Sequence, residues 1–135
     1  MRRLSFVLLI AASAACGSPT DNSKPPSPYN IALISQSSGG GGANPYITAF
    51  TLEVTLKAGG SVQPGVRVVT QVTVGDVASL PLDTDANGRV LGTWTIQPAD
   101  QSPGATETLA YCAAPPGSHL CDTKLNGPDV INVTF

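Results

Sequence analysis

The sequence predicts an all-β chain: two antiparallel sheets packed face to face as a β-sandwich of about seven strands. Three observations predict it. Apolar and polar residues alternate with a period of two along several short segments, the mark of half-buried strands. Turn-forming Gly, Pro, Asn and Asp separate those segments at regular spacing. The composition favours turns over helix surfaces, with 14 Gly, 12 Pro and only 12% charged residues. Hydrophobic residues make up 41% of the 135, too many for a disordered chain. The length suits one domain.

The N-terminus reads as an address. Met1-Arg2-Arg3 is a short positive segment, and residues 4–15 form an apolar run ending in small side chains. A bilayer span needs about 20 apolar residues, so residues 1–15 read as an export signal and not an anchor helix. The run closes on Ser13-Ala14-Ala15-Cys16-Gly17. Those residues resemble a bacterial lipobox, which implies cleavage before Cys16 and a diacylglycerol on its thiol. Ser13 stands where the family usually has Leu. Ser13 and Ala15 also suit ordinary signal cleavage, which would release a soluble protein with a free Cys16. Cysteine arithmetic favours the lipid, because three cysteines cannot all pair and an exposed thiol is a liability in an oxidising compartment. By resemblance to Gram-negative lipoproteins, Gly17 rather than Asp after the cysteine implies the outer membrane or cell surface.

Residues 16–28 form a tether. GSPTDNSKPPSP carries four prolines in twelve residues, which excludes helix and central strand. Extended at about 3.1 Å per residue, it reaches roughly 35–40 Å.

Strands begin after Tyr29, opening a domain over residues 29–135. Residues 31–35 form a short first strand, and residues 37–43, with glycines at 39–42, a flexible loop. Phe50, Leu52, Val54 and Leu56 then share one face, with Thr51, Glu53, Thr55 and Lys57 on the other. Ala58-Gly59-Gly60-Ser61 ends that strand. Residues 66–74 follow with Val66, Val68, Val72 and Val74 on one side, and 77–82 form a shorter strand. Residues 83–88 turn the chain into 89–97, where Val90, Gly92, Trp94 and Ile96 fall together. Residues 105–113 and 130–135 complete the set. Trp94, the only tryptophan, is the candidate core anchor.

The order of these motifs resembles bacterial Ig-like domains of the invasin/intimin type. The residues that carry it are 52–74, then Thr84-Asp85-Ala86-Asn87-Gly88-Arg89-Val90, Thr93-Trp94-Thr95, residues 104–113, and Ile131-Asn132-Val133-Thr134-Phe135. A T-D-x-x-G turn leading into a strand and a later glycine opening the next are features of that family. The resemblance spans about residues 31–135 and implies an immunoglobulin-like sandwich used as an adhesin stalk, spacer or interaction module. With one such domain, a long stalk is not expected.

Few residues suggest chemistry. Asp83-Thr84-Asp85-Ala86-Asn87-Gly88 matches half of a calcium loop, but Trp94 occupies the position that should supply a bidentate Glu. A hairpin turn with Gly88 at positive φ is the better reading. Cys112 and Cys121 enclose AAPPGSHL between the last two strands, and a disulfide there would staple a short loop. The competing reading, a metal pair with His119, lacks a fourth ligand. His119 is the only histidine; Ser118 beside it makes no nucleophile–base pair by adjacency alone. No catalytic residue, cofactor or metal site is expected. Pro115, Pro116, His119 and Leu120 form the candidate recognition loop, since stiff loops at sandwich ends often carry binding. Asn132-Val133-Thr134 matches a glycosylation sequon by coincidence.

Charge excludes one partner class. Without Arg2 and Arg3 the chain has five scattered basic residues against nine acidic ones. No basic stripe offers itself to phosphates, so nucleic acid is not expected. The expected function is a non-catalytic lipoprotein, held at the membrane by its N-terminal lipid, whose Ig-like domain serves envelope interaction, adhesion or structure with a protein or glycan partner. The alternative is a carbohydrate- or ligand-binding sandwich, which would need an aromatic platform from Tyr29 and Tyr46.

Overall fold

Alternation becomes two sheets. A computed structural model describes residues 26–78 and 82–135. Seven strands run in chain order: β1 (Tyr29–Gly40), β2 (Tyr46–Leu56), β3 (Val68–Val72), β4 (Asp76–Ala78), β5 (Arg89–Ile96), β6 (Thr106–Ala113) and β7 (Val130–Thr134). The four-stranded sheet has the order β1-β2-β5-β4 and the three-stranded sheet β3-β6-β7. Every pairing is antiparallel. The one helical element among the described residues is a 3₁₀ turn at Pro98–Asp100. The fold is the all-β antiparallel sandwich that the residue pattern predicts.

The core lies between the sheets. Phe50, Leu52 and Val54 of β2 and Val90, Trp94 and Ile96 of β5 face Val68, Leu109, Tyr111, Ala113, Ile131 and Val133 of the other sheet. Trp94 is fully buried. A buried indole N–H costs stability unless it is satisfied; Trp94 Nε1 donates to the Val74 carbonyl at 2.9 Å, just past β3. The largest core side chain thus ties one sheet to the connection leaving the other. Leu56, expected on the same face, is only partly covered, at the end of its strand.

Gly92 has a packing reason. It sits directly opposite Phe50 in the β2–β5 ladder, and a Cβ there would stand 2.2 Å from the Phe50 ring. The ring lies across the bare backbone and covers it.

Three segments differ from the sequence-based expectation. β1 runs on to Gly40 because Ser38, Gly39 and Gly40 continue the ladder opposite Thr48, Ile47 and Tyr46. The chain reverses only at Gly41 and Gly42, both at positive φ. Long-range pairing overrides the weak strand preference of glycine. β3 is shorter than residues 66–74, because Val66 and Arg67 pair with the stretch before β5. Thr84 N–H donates to the Val66 carbonyl at 2.9 Å, and Val68 N–H to the Leu82 carbonyl at 2.8 Å. Where a strand over 77–82 is expected, β4 covers Asp76–Ala78, and residues 79–81 lie outside the described residues.

The T-D-x-x-G stretch is a built corner. Thr84 is buried; its Oγ1 accepts from Val66 N–H at 2.9 Å and donates to the Gln63 carbonyl at 2.5 Å. Asp85 Oδ1 accepts from the N–H groups of Asn87 and Arg89. Gly88 has φ +70°, and a Cβ on it would meet Gln63 N and Val54 O at 2.9 Å.

Replacing Trp94 with Ala should cost about 3–5 kcal/mol, the usual range for an aromatic deleted from a core. Urea unfolding would measure it, and a loss under about 1 kcal/mol would contradict the central position of Trp94. Gly92→Ala, which adds only a methyl, should still destabilise by roughly 1–3 kcal/mol because Phe50 must move.

Candidate functional site

The connection between β6 and β7 is the most elaborate part of the surface. Its residues alternate out of β6 in a defined way: Leu109, Tyr111 and Ala113 point into the core, so Cys112 points to the outer face of the three-stranded sheet. Cys112 bonds Cys121 there, with the Cα atoms 6.2 Å apart. The disulfide expected from the spacing therefore staples a loop onto the outside of a sheet. It does not cross the core.

Further bonds hold the same connection down. Ala114 N–H donates to the Arg67 carbonyl at 2.8 Å. Thr123 Oγ1 donates to Gln71 Oε1 at 2.7 Å, laying the chain across β3. Tyr111 N–H donates to the Asp129 carbonyl at 3.1 Å as β7 begins. At the tip, Ser118 N–H bonds the Pro115 carbonyl at 3.0 Å. Ser118 Oγ accepts from Leu120 N–H at 3.1 Å and donates to the Leu120 carbonyl at 3.0 Å.

Of the expected recognition residues, Pro116, His119 and Leu120 are exposed, and Leu120 leaves 65% of its surface free. Pro115 is buried and acts as the loop's footing. The Ser118 hydroxyl is engaged with the backbone of Leu120, so it is a turn-former. Both sulfurs are in the disulfide, so they form no metal pair with His119. Among the described residues no group of three or more His, Cys, Asp or Glu gathers in metal-binding range.

Two clefts flank the staple. One, of about 320 Å³, lies between the loop tip and the Thr84 corner, and is lined by Tyr29, Arg67, Asp83, Pro116 and His119. The other, of about 490 Å³, runs between the start of β1 and the disulfide, with Tyr29, Ile31, Lys57, Cys112, Lys124 and Asp129 on its walls. Arg67 and Asp83 form a two-pronged ion pair, Nε to Oδ1 and Nη2 to Oδ2, the latter at 3.1 Å. The hydrogen-bonded guanidinium holds the Asp83 carboxyl below the usual aspartate range, and nearby His119 adds to the effect. The same bond raises Arg67. This pair was not legible in the sequence, where 16 residues separate its members. The nearest signal was a charged residue set between two inward valines.

The tether ends as part of this site. Ser27 Oγ donates to the Ala113 carbonyl at 3.0 Å, and Lys57 Nζ donates to the Ser27 carbonyl at 2.9 Å. Cys16 and the expected export signal, residues 1–15, lie outside the described residues. Tyr29 and Tyr46 do not form a common platform. Tyr29 is at one end of the β1–β2 ladder, opposite Leu56, and Tyr46 at the other, opposite Gly40, roughly 34 Å along the strands. Tyr46 instead packs edge-on against Phe135, with centroids 5.2 Å apart.

Compared with family models, curated proteins and solved structures, the chain matches none.

Removing the staple by a Cys112→Ala, Cys121→Ala double substitution should cost about 2–3 kcal/mol in urea unfolding; an unchanged midpoint would mean the loop is held by its hydrogen bonds alone. The Asp83 pair carries a pH signature. A lowered carboxyl pKa gives stability that is present above the ordinary aspartate range and lost as pH falls through the lowered value. The gap in urea midpoint between the parent and Asp83→Asn should therefore be open at neutral pH and close in acid. It should be small, since the Arg67 and Asp83 side chains are 38% and 37% exposed. A gap that ignores pH would contradict the pairing.

Proposed function

We propose that this chain is an exported, lipid-anchored protein whose immunoglobulin-like domain is a non-catalytic interaction module of the cell envelope, serving adhesion or structure. The observation that carries the reading is the Cys112–Cys121 bond. It accounts for two of the three cysteines and leaves Cys16, at the head of the tether and directly after the lipobox-like Ser13-Ala14-Ala15, as the remaining thiol. A structural disulfide is also the habit of exported chains, not cytosolic ones.

The strand order supports the immunoglobulin-like part. Four strands ordered first, second, fifth, fourth against three ordered third, sixth, seventh is the arrangement of a constant-type immunoglobulin domain. This chain differs in detail: its disulfide staples a loop where antibody domains bridge the sheets, and its tryptophan is on the fifth strand instead of the third. The contact surface is the stapled end, where Pro116, His119 and Leu120 stand out from a footing fixed by Pro115, the disulfide and Arg67–Asp83. A stiff loop loses little entropy on binding. The carbohydrate-binding alternative has less support, because its two spare tyrosines lie at opposite ends of a ladder.

Intact mass of the protein purified from its host membrane tests the reading. The expected mass corresponds to a chain beginning at Cys16, carrying acyl groups and lacking two hydrogens for the disulfide. A chain that begins elsewhere, or an unmodified Cys16, would overturn the anchoring.

A further inference from the structure

The first strand carries two complementary halves on one open edge. Among the described residues β1 ends its sheet, and an edge strand leaves every second residue's N–H and C=O without a ladder partner. Their direction can be assigned. Lys57 N–H donates to the Pro28 carbonyl, while Val54 and Leu56 N–H groups donate away from β1, to Gly88 and Ser61. By antiparallel alternation, Asn30 and Ala32 bond β2, whereas Tyr29, Ile31 and Leu33 turn their backbone groups outward. Tyr29 and Ile31 border the 490 Å³ groove whose far wall is the Cys112–Cys121 disulfide and Asp129.

The other half is bare. Every residue from Ile34 to Gly40 is exposed. Beyond Ile34 the side chains are small and uncharged except for one Gln: Ser35, Gln36, Ser37, Ser38, Gly39 and Gly40. All twelve residues of β1 lack charge and proline, two of the guards that native edges carry against pairing. A bulge between Leu33 and Ser35 divides the two halves.

We propose that this edge pairs with the same edge of a second copy, antiparallel about a two-fold axis near Ile34. A two-fold axis there sets the groove half of one strand against the bare half of the other, twice over. Each Ser/Gly half fills the partner's groove beside the disulfide, and the four-stranded sheets join into one. The arrangement is isologous and closes at two copies. The uncharged edge brings no like charges together, and the outward N–H and C=O of Ile31 and Leu33 gain the only kind of partner that matches their spacing, another extended backbone. The interaction stands independently of the envelope reading.

Ile31→Pro tests it, because that N–H faces outward and its loss spares the β2 ladder. Sedimentation equilibrium of the full chain, from micromolar to near-millimolar, should show a monomer–dimer equilibrium. In Ile31→Pro the association should weaken roughly tenfold or more, with two symmetry-related hydrogen bonds gone, while the far-UV circular dichroism keeps its β-sheet form and the urea midpoint falls, because Ile31 also packs against the core. Ser37→Asp, a charge on the bare half at a site with room for it, should weaken association similarly. In the parent, amide exchange at Ile31 and Leu33 should slow as concentration rises, and that at Ala32 should not change. A chain that stays monomeric throughout overturns the proposal. So does association that survives both substitutions while the Ile31 amide exchanges freely.

Discussion

Everything in this domain depends on hiding one face of each sheet, and Trp94 is where that requirement is strictest. Its ring fills the space between the layers, and its N–H must find an acceptor where water cannot reach. The Val74 carbonyl meets that need from the connection leaving the opposite sheet. Register then follows: a one-residue slip of β5 would turn Val90, Trp94 and Ile96 to solvent and bring Arg89 and Leu91 inward. Gly92 and Phe50 serve the same constraint, since the aromatic ring covers the one inward position of β5 without a side chain.

Outside the core, the chain spends its polar groups on fixing connections. Thr84 bonds two backbone groups of the 63–66 stretch. Arg67 bonds Asp83 one residue upstream of it, and the disulfide presses the β6–β7 connection onto the outer face of its sheet. These devices meet at one end of the sandwich, together with the last residues of the tether. Leu120 stands exposed at that end, while Ile34, Ile47, Val62 and Leu91 are exposed elsewhere on the domain.

Much of this was legible in the residues. β2 and β5 follow from strict alternation, the Trp94 position from its place in that alternation, and the Asp83–Gly88 turn from Asp, Asn and Gly at their spacing. The Cys112–Cys121 pair followed from its short spacing between the last two strands. What escaped were features set by partners far away in the chain. Glycines 39 and 40 are poor strand formers, yet they extend β1 because β2 lies alongside to pair with them. Thr48, two residues before Phe50 on the inward side of β2, is a polar residue in the core: it is fully buried, its hydroxyl bonded to that of Ser38 at 3.0 Å. The exchange of partners by Val66 and Arg67 leaves no local mark at all. Nor does the groove between the start of β1 and the disulfide, because its two walls lie more than 80 residues apart.

A single buried tryptophan makes the two-layer packing directly observable. In the native protein, fluorescence emission from Trp94 should be blue-shifted and inaccessible to iodide, and should move to the red with full quenching only as urea unfolds the sheets. Native emission that is already red and freely quenched would place the indole in water, and the sandwich built around it could not stand.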